Sequence, residues 1–352
     1  MGRDGMEGRT AKVVVTDYDY PSLEVEARIL GSIGATVVGA QCKTEEELID
    51  VARDAEGLLV QYARVGSWTI SQLERCLIIA RYGIGVDIVD VEAATRRGIL
   101  VTNVPDYCVE EVADHAIAMF LCLVRGLREY DAAVRRGRWH WSASGTALHR
   151  LHGQIAGVVG FGKIGRAIAA RLKPFGLEVI VSDPYVELAR IESAGCRRVN
   201  FGDLLHLSDI IFVQAPLTHE TRHLFGRAVF AAMKRSAILV NTARGPIVDN
   251  DALLQALTSG TIRAAALDDL EEEPAKQRNW VPDNPLLGLE NLLVSPHSAY
   301  YSEEAILEAR ETASQEVARV LSGIEPRHIV NRSVLGSAAL RFRPTPSTAR
   351  PS

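Results

Sequence analysis

The chain has 352 residues, 47% hydrophobic and 24% charged, a composition expected of a globular protein and a length that suits two domains better than one. Its net charge of −5, with acidic and basic residues intermixed, leaves no broad basic surface and argues against nucleic acid as a partner. The longest apolar stretch, near residues 116–124, is broken by flanking charges and too short for a membrane span, and the polar residues 1–10 carry no secretion signal. Five scattered cysteines without metal-ligand spacing point to no metal site and to a reduced, cytoplasmic compartment.

Short apolar runs alternate with helical patterns, which predicts an α/β protein with parallel sheets. Residues 12–16 read as the first strand and 23–33 as a helix stopped by Gly34. Strands at 35–38, 57–60, 77–80 and 100–102 complete a small α/β domain before residue 105. Residues 110–127, following Pro105, read as one long amphipathic helix with Glu110 and Glu111 in its first turn, where the helix dipole favours acids. The Arg-rich stretch 135–150 comes next. Its Trp139 and Trp141 read either as half-buried aromatics on a surface excursion or as a dimer contact. A second α/β unit opens at Ile155, with strands at 156–160, 178–182, 210–213, 238–240, 264–266 and 292–294. A last helix covers 303–321, and the Ser-, Pro- and Arg-rich tail 333–352 reads as disordered.

The second unit carries Gly160-Phe161-Gly162-Lys163-Ile164-Gly165 between an apolar strand and a helix. Glycine there removes the Cβ atoms that would block the turn, a pyrophosphate and the helix–strand contact, and the helix N-terminal amides then face phosphate. Asp183 closes the next strand, where a carboxylate would accept hydrogen bonds from an adenine ribose and repel a 2′-phosphate. The expected cofactor is therefore NAD and not NADP.

About 150 residues precede this loop, enough for a separate domain. NAD-linked oxidation of an alcohol needs a base for the hydroxyl proton and a group that orients the base, and a substrate bearing a carboxylate needs a cation as well. Arg244, Glu273 and His297 each follow a predicted strand, where open α/β sheets bind ligands. Singly, each also reads as ordinary: a surface charge, one of the acidic run Glu271-Glu272-Glu273, a satisfied loop histidine.

Taken together, the motifs closely resemble the D-isomer-specific 2-hydroxyacid dehydrogenases. The resemblance runs from about Val13 to Asn331 and rests on Arg81-Tyr82-Gly83-Ile84-Gly85-Val86-Asp87, Val109-Glu110-Glu111-Val112-Ala113-Asp114, the glycine loop, Pro216-Leu217-Thr218 with Thr221, Asn241-Thr242-Ala243-Arg244-Gly245, Ala266-Leu267-Asp268 with Glu273-Pro274, and Ser295-Pro296-His297. It implies Arg244 as the binder of the substrate carboxylate, His297 as general acid/base and Glu273 as its partner. It further implies Asp268 near the nicotinamide carboxamide and Pro216, Thr221, Thr242 and Ala243 along the cofactor.

Within that family the run 296–305 looks like the corepressor-type branch, with Tyr300 where that branch places a tryptophan against substrate. An NAD-sensing binding protein is accordingly the alternative to an enzyme. The loop 59–63 is expected to face substrate with Gly83, and phosphoglycerate dehydrogenases carry arginine where this chain has Gln61. Neutral Gln61 beside Tyr62 therefore suggests a 2-keto or 2-hydroxy acid with an uncharged substituent, with Arg64 or Arg81 as the alternative source of the charge that a phosphate would need. Motif placement predicts a discontinuous, flavodoxin-like substrate domain of residues 1–108 and 303–332 and a Rossmann domain of residues 109–302. A homodimer built on the helix from Glu110 and on stretch 135–150 is implied by the resemblance.

Overall fold

The structure, a computed structural model, describes residues 10–274 and 279–344. The chain divides into two units, one of residues up to Tyr107 together with those from Glu303 onward, the other of Cys108–Ser302.

In the first unit, five strands form a parallel sheet: β1 (Lys12–Val15), β2 (Thr36–Gly39), β3 (Gly57–Val60), β4 (Ile78–Arg81) and β5 (Leu100–Thr102), in the order β2-β1-β3-β4-β5. This is the flavodoxin-like order. Strands β3, β4 and β5 are buried at every residue, as expected where helices cover both faces of a parallel sheet, so apart from Arg81 and Thr102 at their carboxyl ends their sequences are apolar and not alternating. Helices α1 (Glu24–Gly31), α2 (Glu45–Ala52), α3 (Ser67–Gln72) and α4 (Val91–Arg96) connect them. Helix α2 starts with a capping box, Thr44 accepting from the Glu47 amide while Glu47 reaches back.

The chain's last helix, Glu303–Leu321, returns to this unit and is fastened to α1 by a buried ion pair. The Arg310 guanidinium donates to both carboxylate oxygens of Glu26 at 2.9 and 2.7 Å, and it lies 4.6 Å from the ring centre of Tyr20. Tyr82 donates its hydroxyl to the same carboxylate at 3.1 Å.

The tail expectation needs correction. Residues 333–344 are folded onto this unit: Val334 and Phe342 are buried, and Arg341 donates to the carbonyls of Leu73, Glu74 and Cys76. Two apolar anchors and one cation on main-chain carbonyls override a composition that suggests disorder. Residues 345–352 of the expected tail lie outside the described residues.

The second unit begins with α5 (Val109–Arg125), which stops two residues before the expected end because Gly126 takes a left-handed conformation at its C-cap. Helix α6 (Leu127–Arg135) follows immediately, then a 3-10 turn over Trp141–Ser144. Trp139 and Trp141 are 86% and 80% exposed, so the half-buried reading fails for the single chain. Seven strands make the sheet: β6 (Ile155–Val159), β7 (Glu178–Ser182), β8 (Arg197–Arg198), β9 (Ile210–Val213), β10 (Ile238–Asn241), β11 (Ala264–Leu267) and β12 (Leu292–Val294). All pairings are parallel and the order is β12-β11-β10-β9-β6-β7-β8. The order of strand addition reverses between β6 and β9, which is the switch point where such sheets open a crevice at their carboxyl ends. Helices α7 (Lys163–Leu172), α8 (Leu188–Ser193), α9 (Phe201–Leu207), α10 (Arg227–Ala232) and α11 (Asn250–Thr258) lie between the strands, and two apolar clusters sandwich the sheet. The expected fold class, two doubly wound parallel-sheet units, is what the structure shows. Among the described residues no helix is long and apolar enough to cross a membrane.

Candidate active site

The glycine loop sits at the switch point. Gly160 has φ +90°, and a Cβ there would stand 2.7 Å from the backbone of Gln214 and Ala215 at the end of β9. A Cβ on Gly165 would overlap the Gly160 carbonyl oxygen, so the third glycine is what lets α7 approach the loop. Gly162, the N-cap of α7, has nothing within 4 Å of its Cβ position, leaving open space at the helix N-terminus beside the amides of Lys163 and Ile164. At the end of β7, Asp183 accepts from the Phe161 amide at 2.7 Å through one oxygen and from the amides of Tyr185 and Val186 at 2.9 and 3.2 Å through the other. An open glycine cradle, a helix N-terminus and a fixed carboxylate fit an unphosphorylated dinucleotide.

Two residues expected along the cofactor do structural work. Thr221 donates its hydroxyl to the Pro216 carbonyl at 2.6 Å and accepts from the Thr218 amide at 2.8 Å, closing loop 216–221. The Thr242 hydroxyl accepts from the Gln214 side chain at 2.7 Å, joining the ends of β9 and β10. The Ala243 amide is held at 3.0 Å by Asn241.

Arg244 ends the turn after β10. Its carbonyl accepts from the Asn241 side chain at 2.8 Å, and its guanidinium donates to the Ala243 carbonyl at 2.8 Å. The next residue, Gly245, lies against the loop that follows β11; a Cβ there would overlap the Leu270 carbonyl oxygen. This contact brings the Arg244 turn beside the segment bearing Glu273.

That acidic run is not one exposed patch. Glu271 pairs with His223 and accepts from the Asn250 amide, while Glu272 accepts from the side chains of Asn250 and Asn284 at 3.0 Å. Glu273 diverges from both, with φ +49° and its amide bonded to the Leu270 carbonyl at 3.0 Å. Among the described residues, the non-glycine residues in the left-handed region are His223, Glu273 and His297, the last at φ +54°. Such backbone costs roughly 1–3 kcal/mol and collects at functional sites.

Asp268 organises the His297 loop. One oxygen accepts from the Ser295 hydroxyl at 2.6 Å and the Ser298 amide at 2.9 Å, the other from the Ala299 amide at 3.0 Å, and its carbonyl accepts from the His297 amide at 2.5 Å. His115 of α5 lies 2.9 Å from the Ser295 hydroxyl. Tyr300 sets its ring edge-on to His297, with centroids 6.1 Å apart. The Nδ1 of His297 lies 3.0 Å from Oδ2 of Asp269, a residue that sequence reasoning passed over. The only signal for it was a second acid directly after Asp268 at a strand end.

In the first unit, Asp17 gathers the amides of Gln61, Tyr62 and Ala63 at 3.2, 2.6 and 3.1 Å and so fixes loop 61–63. Gln61 is only 3% exposed, and its amide both accepts from the Asp19 backbone at 3.0 Å and donates to the Asp19 carboxylate at 2.6 Å. The structure thus commits to Asp19 the side chain that the sequence offered to substrate. Gly83 has φ +149°, and the Arg81 guanidinium occupies the place its Cβ would take.

Residues 117–299 match the model of the D-isomer specific 2-hydroxyacid dehydrogenase family, NAD binding domain. The chain is 39% identical over 322 residues to the D-3-phosphoglycerate dehydrogenase of Methanocaldococcus jannaschii, covering 91% of this chain and 59% of that relative. It is 38% identical over 298 residues to the glyoxylate reductase of Aeropyrum pernix, covering 82% and 87%. Its structure is similar to that of D-lactate dehydrogenase from Aquifex aeolicus, solved with NAD and lactic acid, with TM-score 0.83 and 27% identity over 91% and 99% of the two chains. The chain thus spans little more than half the length of the phosphoglycerate dehydrogenase it matches. It belongs to the D-isomer specific 2-hydroxyacid dehydrogenase family, in the phosphoglycerate dehydrogenase-like branch, and its second unit is that family's NAD-binding domain.

Proposed function

We propose that the protein is an NAD-dependent D-2-hydroxyacid dehydrogenase that interconverts a 2-keto acid and its 2-hydroxy acid. The observation that carries this reading is that Arg244, the 268–273 segment and His297 follow the carboxyl ends of three adjacent strands, β10, β11 and β12, of the NAD-binding unit. The dinucleotide, when bound, supplies or accepts the hydride at C2. Gly160, Gly162 and Gly165 admit its pyrophosphate to the amides of Lys163 and Ile164, and Asp183 takes the ribose hydroxyls. Arg244 binds the carboxylate through its planar fork and polarises the neighbouring carbonyl. Protonated His297 donates to the developing alkoxide in reduction and takes the hydroxyl proton in oxidation, with Glu273 favouring its charged form.

On this reading the 2-substituent is uncharged. The Asp19 carboxylate bonded to Gln61 supports that, because it would repel a phosphate at this loop. Tyr300, edge-on to His297, would then contact the acid.

A second copy of the chain is the expected partner. Leu127, Val134, Trp139 and Trp141 are all exposed on α6 and the adjoining turn, and a homodimer would cover them. That all five cysteines are thiols supports a reducing, cytoplasmic compartment.

The test is NADH oxidation across glyoxylate, pyruvate, hydroxypyruvate, 3-phosphohydroxypyruvate and branched 2-keto acids. Turnover of an unphosphorylated acid is expected. Tight NADH binding without turnover of any acid would instead favour the cofactor-sensing binding protein, and gel filtration near 38.4 kDa would exclude the dimer.

A further inference from the structure

We infer that Asp269 is a positioning residue for the reaction, the carboxylate that fixes the ring of His297; this rests on the reading of His297 as acid/base. The geometry is that of a held base. Asp269 directly follows Asp268 at the end of β11 and is 7% exposed. Its Oδ1 accepts from the Leu270 amide at 2.9 Å, which orients the carboxylate, and its Oδ2 faces His297 Nδ1 at 3.0 Å.

Both partners are held by main chain. The amide of His297 donates to the carbonyls of Asp268 and Ser295, so its loop is anchored to the residue next to Asp269. A carboxylate at Nδ1 selects the tautomer with the proton there and leaves Nε2, on the opposite edge of the ring, as the nitrogen that exchanges a proton with substrate. It also stabilises the imidazolium that forms when the hydroxyl proton is taken.

Glu273 and Asp269 differ in how they are held. Asp269 is buried and on the residues that extend a core strand, whereas Glu273 sits farther along the loop on left-handed backbone.

The experiment compares Asp269→Asn, Asp269→Glu, Glu273→Gln and His297→Ala, using NADH and whichever 2-keto acid of the panel the parent protein reduces fastest. Asp269→Asn keeps size and the Leu270 contact but removes the charge. It should lower kcat about 10- to 100-fold, within the range general acid–base groups contribute, with KM for the acid changed less than about threefold. The alkaline limb of the kcat profile for reduction should move to lower pH, because the donor proton is lost earlier without the carboxylate. Asp269→Glu should restore part of both, and NADH affinity should stay that of the parent.

If Asp269→Asn leaves kcat and the alkaline limb unchanged while His297→Ala abolishes turnover, Asp269 has no such role and the acid/base reading stands. If His297→Ala keeps parental turnover, that reading itself falls. A drop in kcat for Asp269→Asn without movement of the limb, and without rescue by Glu, would mark Asp269 as merely structural and overturn the inference.

Discussion

The amide of Phe161, inside the glycine loop, donates to Oδ2 of Asp183 at 2.7 Å, so the residue proposed to select the cofactor also holds the loop proposed to bind it. Replacing Asp183 therefore does two things at once. Asp183→Ala should weaken NADH binding about 10- to 100-fold, the worth of a lost charge-assisted hydrogen bond, and should narrow the preference over NADPH. Titrating both cofactors by fluorescence checks it; unchanged NADH affinity would remove Asp183 from the ribose site.

Arg244 and His297 should fail differently. His297→Ala is expected to lower kcat about a thousandfold with little change in KM, since a proton-transfer group acts in the transition state. Arg244→Ala should also raise KM for the acid about 100-fold, because a bidentate carboxylate contact is made in the ground state too. Steady-state kinetics at saturating NADH separates the two. Equal effects on KM would refute the division of roles.

Gly245 is a steric joint between the Arg244 turn and the loop that follows β11. A methyl group there meets the Leu270 carbonyl, and the neighbours are backbone and cannot turn aside. Gly245→Ala should destabilise the second unit by about 1–3 kcal/mol and lower kcat/KM more than that stability loss suggests. Urea unfolding beside kinetics tests this; a folded variant with parental kcat/KM would show that the contact yields.

The Arg310–Glu26 pair predicts an asymmetry in the first unit. Arg310→Met alone strands a buried carboxylate and should cost about 3–5 kcal/mol. The double variant Glu26→Gln with Arg310→Met should recover most of it, since the charge has gone along with its partner. If the single and double variants unfold at the same urea concentration, the pair contributes through packing alone.

Burial makes the first unit sensitive to alkali. The Cys76 thiol is pushed from 9.0 up to about 12, Cys42 up to about 11, and the Tyr82 hydroxyl is raised well above its ordinary value, in each case chiefly by burial. Below pH 9 these thiols keep their protons whether the chain is folded or not, and their full contribution is present. Above it the unfolded chain ionises first, so stability falls as pH rises toward the folded values, by about 1.4 kcal/mol per pH unit for each thiol. Melting at a series of alkaline pH values should show this fall, and Cys76→Ala should flatten it. A melting temperature independent of pH over that window would contradict the burial.

Most strands were legible because parallel strands covered on both faces demand unbroken apolar runs, and Gly57–Val60 and Ile210–Val213 supply them. Strand β8 was not, since two exposed arginines at a sheet edge carry no such signal. The glycine loop and Asp183 were legible because one backbone geometry imposes their spacing. Asp269 was hidden for the opposite reason: its partner is 28 residues away and only the fold brings them together. Gln61 shows a further limit. Its position in a loop was readable, but the side-chain bonds that commit it to Asp19 depend on how β1 and β3 pair.

The left-handed backbone at Glu273 and His297 sets the fold's preference against its chemistry. Glycine at either place would relax the main chain and delete the side chain the reaction is proposed to use. A library selected only for heat resistance should therefore drift toward glycine at 273 and 297, gaining melting temperature as it goes silent. Anyone hardening this protein should leave those two positions alone and seek robustness away from the strand ends that carry them.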